Sequence, residues 1–155
     1  MKIHPGIFFL FFVLCFGNYN AQNDNKIIKN KTNDYWKKKL SPITYYVTRE
    51  KGTEKPFSGQ YWDNKQNGKY YCICCNQELF DSKHKFKSGT GWPSFFNVSL
   101  KNNIKRIDDH SNNMARIEIQ CSNCEAHLGH LFNDGPKQTG LRYCINSCSL
   151  FFKKR

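Results

Sequence analysis

Ala115-Arg116-Ile117-Glu118-Ile119-Gln120-Cys121-Ser122-Asn123-Cys124 is the stretch that sets the fold class. Ala115, Ile117 and Ile119 alternate with Arg116, Glu118 and Gln120, the period-two pattern of a half-buried strand, and the strand runs directly into a C-x-x-C pair. Leu141 to Asn146 repeats the alternation. Leu141, Tyr143 and Ile145 share one face, while Arg142, Cys144 and Asn146 share the other. A guanidinium, a thiol and an amide are an odd set for a plain surface. From Lys69 onward the chain consists of short apolar runs broken by Gly, Asn, Asp and Pro. The expectation is a mainly β, antiparallel domain. With 13 Phe and 8 Tyr, the 155 residues can supply a real core.

Upstream of the β region, Asp34 is placed to cap a short helix through Leu40. Ser41-Pro42 supplies a second start, a cap followed by proline at the first helical position, and Gly52 ends that helix. Residues 22–33 are polar and read as a flexible linker, so the domain is expected at 34–155. Residues 1–21 read as a signal peptide rather than a buried helix. Lys2 gives the charged start, Ile7 to Phe16 is an unbroken run of 10 apolar residues, and Gly17 to Ala21 are mostly small or polar. Ten residues are too few to span a bilayer as a helix, so the mature chain is expected to be exported, periplasmic or secreted, without stable membrane insertion. Loss of Lys2 leaves 23 basic residues against 12 acidic ones. The lysines are scattered, and the densest cluster, Lys37 to Lys39, reads as a solvated helix face. No nucleic-acid partner is therefore inferred from charge.

Cys72-Ile73-Cys74-Cys75 and Cys121-Ser122-Asn123-Cys124 are two C-x-x-C pairs. Each can turn two thiolates toward one ion, and four thiolates complete the tetrahedral shell of a structural zinc. The ligand set is Cys72, Cys75, Cys121 and Cys124. The adjacent Cys74 blurs the first pair, and disulfides are the competing reading for an exported chain.

Cys144 stands outside both pairs. Arg142, two residues back on the same face, can stabilise its thiolate, and Asn146, two residues on, can orient a substrate or a water. The alternative is an inert buried thiol. His127-Leu128-Gly129-His130 would put its imidazoles on opposite sides of a regular strand; a bulge at Gly129 would bring them together as proton donors near a thiolate. Trp92, restrained by Pro93, can wall a pocket for a small apolar group or simply fill the core.

At this point the chain resembles the methionine-R-sulfoxide reductases of the B type. The matching strings are Arg49-Glu50-Lys51-Gly52-Thr53-Glu54, Pro56-Phe57-Ser58-Gly59, the two C-x-x-C pairs, Lys87-Ser88-Gly89-Thr90-Gly91-Trp92-Pro93-Ser94-Phe95, His127-Leu128-Gly129-His130, and Gly140-Leu141-Arg142-Tyr143-Cys144-Ile145-Asn146-Ser147. They run in order from about Tyr35 to Phe152. The resemblance implies two antiparallel β-sheets in a tent-like, zinc-stapled arrangement with short N-terminal helices. It implies reduction of methionine-R-sulfoxide, mainly in oxidised proteins, through a sulfenic acid on Cys144 that thioredoxin-type or other thiols reduce, by a monomer. By position, Trp92 would hold the substrate methyl group, and His127, His130 and Asn146 would serve the sulfoxide oxygen. Arg142 would stabilise the thiolate, and Asp134 would lie in the same site. Asn76, Cys74 and Cys148 depart from the family pattern, and Thr90 occupies the place where many members carry a recycling cysteine. The competing readings are a basic zinc-ribbon binding module, which has no use for Cys144, and a disulfide-exchange protein, which needs no zinc.

Overall fold

The computed structural model describes Ile28 and residues 31–155. The expected signal segment, 1–21, and most of the expected linker lie outside the described residues. Helix α1 (Asn33–Lys39) is capped by Thr32, whose Oγ1 accepts the Tyr35 N–H at 3.3 Å. The cap expected at Asp34 is therefore corrected: Asp34 sits inside the first turn, where a carboxylate suits the positive end of the helix dipole. Helix α2 (Pro42–Glu50) has the Ser41 cap and leading proline that the sequence announces. It closes on Lys51 in the left-handed conformation (φ 57°), not on Gly52, whose N–H reaches back to the Tyr46 carbonyl at 3.0 Å. Among the described residues, no helix is long and apolar enough to cross a membrane.

Nine strands follow among the described residues: β1 (Gly68–Cys72), β2 (Glu78–Asp81), β3 (Lys85–Phe86), β4 (Ser94–Phe95), β5 (Ile104–Asp109), β6 (Arg116–Cys121), β7 (His127–Phe132), β8 (Arg142–Ile145) and β9 (Leu150–Lys154). They form two antiparallel sheets, ordered β2-β1-β9 and β3-β4-β8-β7-β6-β5. Aromatic side chains weld one sheet to the other. Phe80 of β2 stacks on Phe95 of β4 at 4.4 Å between ring centroids, Tyr70 of β1 meets Phe95 edge-on at 5.1 Å, and Tyr143 of β8 leans on Phe80 at 5.9 Å. All four rings are buried. Each such side chain stabilises the fold by roughly 1.5–3 kcal/mol through removal from water.

Strand β6 departs from the half-buried pattern. Glu118, expected on the exposed face, is 2% exposed, because α2 and β7 cover that face and Lys51 and His127 bond its carboxylate. The β6–β7 register pairs Ile119 with Gly129 and then Gln120 with His127, so Leu128 is an extra, unpaired residue. This bulge turns His127 and His130 to the same side, with ring centroids 5.2 Å apart. Gly129 permits it: φ is 155°, and a Cβ there would stand 2.0 Å from the Cys144 carbonyl oxygen. Only a residue without a side chain lets β7 and β8 pair this closely. Gly129→Ala should therefore destabilise the domain by about 3 kcal/mol or more, measured as a shift in the denaturant midpoint at unchanged slope.

Candidate active site and metal centre

Both C-x-x-C pairs are hairpin turns of one design. After Cys72 at the end of β1, Asn76 takes φ 62° and donates its N–H to the Cys72 carbonyl at 2.9 Å. After Cys121 at the end of β6, Glu125 takes φ 61° and donates to the Cys121 carbonyl at 2.9 Å. The turns face each other across the two sheets. Cys72 Sγ lies 3.5 Å from Cys124 Sγ, Cys75 Sγ lies 3.5 Å from Cys121 Sγ, and all four sulfurs fall within 4.8 Å of one another. A disulfide would hold two sulfurs at about 2.05 Å; these are free thiols. A tetrahedral metal with bonds to sulfur of about 2.3 Å places its ligands roughly 3.8 Å apart, and the cluster fits that shape. Hydrogen bonds from its neighbours, Cys121 first, push the Cys72 thiol well above its ordinary range. Sulfurs this crowded share protons unless a cation neutralises them. Arg49 locks the helices to this centre, donating to the Cys124 carbonyl at 2.8 Å while stacking over Trp36 at 4.1 Å. Cys74 lies in the first turn but outside the four-sulfur group.

Across the larger sheet, register builds a second site. Ser94 of β4 pairs with Cys144 of β8, Cys144 with His130 of β7, and His130 with Glu118 of β6. Directly paired residues share a face, so the thiol and an imidazole stand side by side. They open onto a cavity of about 150 Å³ lined also by Trp92, Asn146, Phe132, Arg116 and Thr53. Burial pushes the Cys144 thiol up; the charge of Arg142 and a hydroxyl from Thr90, 4.0 Å from Sγ, pull in the opposite direction. Burial prevails in the free site, so Arg142 offsets desolvation without bringing the thiol below its ordinary value.

Arg142 itself is buried beside the cavity. Its Nε and Nη2 grip both oxygens of Asp134, at 2.8 and 2.9 Å, and its plane lies over Phe132 at 4.3 Å. Asp134 is thus placed on Arg142, not among the cavity-lining residues. Asn146 is held at both ends of its amide: Nδ2 donates to the Leu128 carbonyl at 3.0 Å and Oδ1 accepts the Glu54 N–H at 3.0 Å. Trp92 is anchored by its Nε1–H to the Glu54 carbonyl at 3.1 Å.

The two histidines differ. His130 lines the cavity, and its Nε2 meets Asp109 of β5 at 2.7 Å. An ionised carboxylate only accepts, so Nε2 carries the hydrogen and Nδ1 is the nitrogen left for chemistry. Desolvation lowers the His130 pKa, partly opposed by Asp109. His127 lies behind, 2% exposed, with Nδ1 on Glu118 at 2.7 Å and Nε2 without a protein partner.

Several contributors escape sequence reading. Glu118, Asp109 and Arg116 alternate like ordinary surface charges, and only the register shows that they orient or flank the imidazoles. Buried Glu54 ties the site together: its carboxylate accepts the N–H groups of Ser147 (2.5 Å) and Cys148 (3.0 Å), while its backbone holds Trp92 and Asn146.

Residues 40–154 match the family model described as the SelR domain. A peptide methionine sulfoxide reductase MsrB of Acinetobacter baylyi is 55% identical over 124 residues, covering 80% of this chain and 89% of the relative. The MsrB of Acinetobacter baumannii strain ATCC 17978 matches at the same identity and coverage. The chain belongs to the methionine-R-sulfoxide reductase B family. Among solved structures, the Mis18 'Yippee-like' domain superposes with a TM-score of 0.48 at 18% identity, covering 58% of this chain and 98% of that one. Cys144 stands on β8, where the charge of Arg142 opposes the effect of burial on its thiol. Arg142→Leu should raise the Cys144 pKa further. Iodoacetamide alkylation followed against pH checks this: the rise in rate moves to higher pH in the variant.

Proposed function

We propose that this MsrB member reduces methionine-R-sulfoxide in oxidised proteins, with Cys144 as the nucleophile. As a family member it is an oxidoreductase acting on a sulfur group. The observation that carries the reading is the pairing of Cys144 with His130 across β8 and β7, at a cavity walled by Trp92. The indole face suits the methyl group of the sulfoxide, and an imidazolium at His130 can protonate its oxygen. Cys144 attacks the sulfoxide sulfur as thiolate. The oxygen passes to the cysteine sulfur, the methionine thioether leaves with its electron pair, and Cys144 becomes a sulfenic acid, oxidised by two electrons. Arg142, oriented by Asp134, stabilises the thiolate. Asn146 offers the remaining N–H of its amide. His127, held by Glu118, backs His130 rather than touching substrate.

Two external thiols, from a thioredoxin-type or other donor, then return Cys144 to the thiol and release water and a disulfide. Thr90 cannot form a disulfide. Cys148 is not carried on β8, as expected from an extended strand through residue 148. The strand ends at Ile145, and Ser147–Ser149 form a 3₁₀ turn. There burial and the charge of Glu54 push the Cys148 thiol well above its ordinary range, leaving it a poor nucleophile at neutral pH. Cys74 belongs to the sulfur-rich turn. Direct reduction from outside is the remaining route.

For the metal we propose one zinc held by Cys72, Cys75, Cys121 and Cys124, which would staple the sheets and leave no open coordination position for chemistry. The N-terminal segment supports export as a proposal, and monomeric action fits a site built from one chain. The competing binding-module reading leaves Cys144, its cavity and its paired imidazole without a purpose.

Turnover with dithiothreitol should consume the R-epimer of methionine sulfoxide and spare the S-epimer, and Cys144→Ser should abolish it. A dimedone adduct on Cys144 after a single turnover without reductant is expected. A stoichiometric bond from Cys144 to Cys148 or Cys74 would refute the recycling route. Elemental analysis should give one zinc per chain, and Cys121→Ser should lose the metal together with the folded near-ultraviolet dichroism; since structural zinc contributes on the order of 10 kcal/mol to small folds, retention of structure without metal would contradict the assignment.

A further inference from the structure

Phe57 occupies a conformation that bulky residues avoid. Its φ is 62°, in the left-handed region where Cβ crowds the backbone, and the side chain is 56% exposed, so no burial offsets the strain. Gly91 imposes it. The Phe57 N–H donates to the Gly91 carbonyl at 2.9 Å, and Gly91, at φ 87°, leaves no room for a side chain of its own: a Cβ would stand 2.7 Å from Phe57 N. The exposed ring meets Trp62 edge-on at 5.3 Å, and Trp62 is itself 37% exposed. A strained, solvent-facing aromatic beside a reactive site points to a ligand-facing role.

The surroundings say what that ligand is. Phe57, Trp62 and Lys87 share a small hollow with Trp92, and Trp92 is also a wall of the Cys144 cavity. Beyond Trp62 the surface opens into a depression of about 260 Å³ bordered by Lys65, Lys85 and Lys87. One acidic group, Asp63, lies among them, 3.7 Å from Lys65. Lys85 also braces the shelf, donating to the Trp62 carbonyl at 3.0 Å. An apolar step next to the cavity is thus followed by a basic patch, one continuous path leading away from Cys144.

We propose that the Phe57–Trp62 shelf and the lysines beyond it bind the polypeptide on one side of the oxidised methionine, selecting chains with an apolar residue and then acidic residues. This rests on sulfoxide reduction at Cys144 and names the substrate class for it. An extended peptide leaving the cavity would cross the aromatics first and reach the basic patch after them.

The test uses dithiothreitol as reductant, so that docking of a protein donor plays no part. The substrates are three peptides of equal length holding one methionine-R-sulfoxide with acidic, serine or lysine flanks, together with N-acetylmethionine-R-sulfoxide. The acidic peptide should exceed the lysine peptide in kcat/KM by about tenfold at low salt, and the gap should narrow as salt screens the lysines. Phe57→Gly and Lys87→Glu should each lower kcat/KM for the acidic peptide about fivefold or more, mainly through KM, with turnover of the acetylated amino acid unchanged. Phe57→Gly should also melt no lower than the parent protein, since glycine relieves the left-handed strain. Equal rates on acidic and basic peptides, parallel losses on the small substrate, or a fall in melting temperature that accounts for the lost activity would overturn the proposal while leaving the reductase reading standing. Absence of turnover on every sulfoxide by the unaltered protein would overturn both.

Discussion

Four sulfurs drawn from two hairpin turns form the constraint on which the rest of this molecule depends. One turn closes the β1–β2 hairpin of the smaller sheet and the other closes β6–β7 of the larger. Bringing Cys72, Cys75, Cys121 and Cys124 within 4.8 Å therefore fixes the sheets relative to one another at one end, while the stacked rings of Phe80, Phe95, Tyr70 and Tyr143 fix them further along. The rings are non-directional and supply free energy by leaving water; an ion held by the four sulfurs would supply direction, since a tetrahedral centre tolerates little displacement of its ligands. Strand β7 leaves the second turn and within six residues delivers both histidines. An error in the turn would be transmitted as an error in the imidazoles.

The candidate site rests on a second layer of side chains that do not line its cavity. Each histidine has its own carboxylate, His127 on Glu118 and His130 on Asp109, attached through different ring nitrogens. This sets which nitrogen is left free, a choice that a neutral imidazole does not make by itself. Arg142 is oriented by Asp134 in the same manner, and Asn146 and Trp92 both hang on the backbone of Glu54. The cavity is thus a set of side chains whose rotamers are already fixed, which lowers the cost of organising them around a reacting sulfur.

The amount of this legible from the chain follows from the range of each interaction. Strand alternation in residues 115–121 and 141–146, the Ser41-Pro42 start and the paired turns are local, and each stands in the fold as the sequence announces it. The bulge beside Gly129 could be inferred because two histidines three apart need one. Local reading failed where the deciding partner is remote. Asp34 and Thr32 are both capable caps, and only the geometry of the turn selects Thr32. Glu118 alternates like a surface residue, yet Lys51 and His127 reach it from two other elements. Cys148 continues an alternating strand on paper, but Glu54, distant in sequence, gathers the N–H groups of Ser147 and Cys148 and turns the chain. The candidate site mixes the two cases. Cys144, His130, Trp92 and Asn146 were visible as chemistry-bearing residues that the fold brings around one cavity, whereas Arg116, Thr53 and the orienting carboxylates carried no local signal.

The pairing of β1 with β9 has a consequence for how the molecule comes into being. Gly68 lies opposite Lys154 and Cys72 opposite Leu150, so the central strand of the smaller sheet is completed only by the distant β9. During synthesis the first thiol pair emerges well before the segment that shields it. Closing so long a loop is entropically slow. Until Leu150–Lys154 arrives, the thiols at the end of β1 lack the strand that pairs with it, and in oxidising surroundings a disulfide formed there would trap the wrong topology. Maturation is then a race between thiol oxidation and the closure of β9 onto β1.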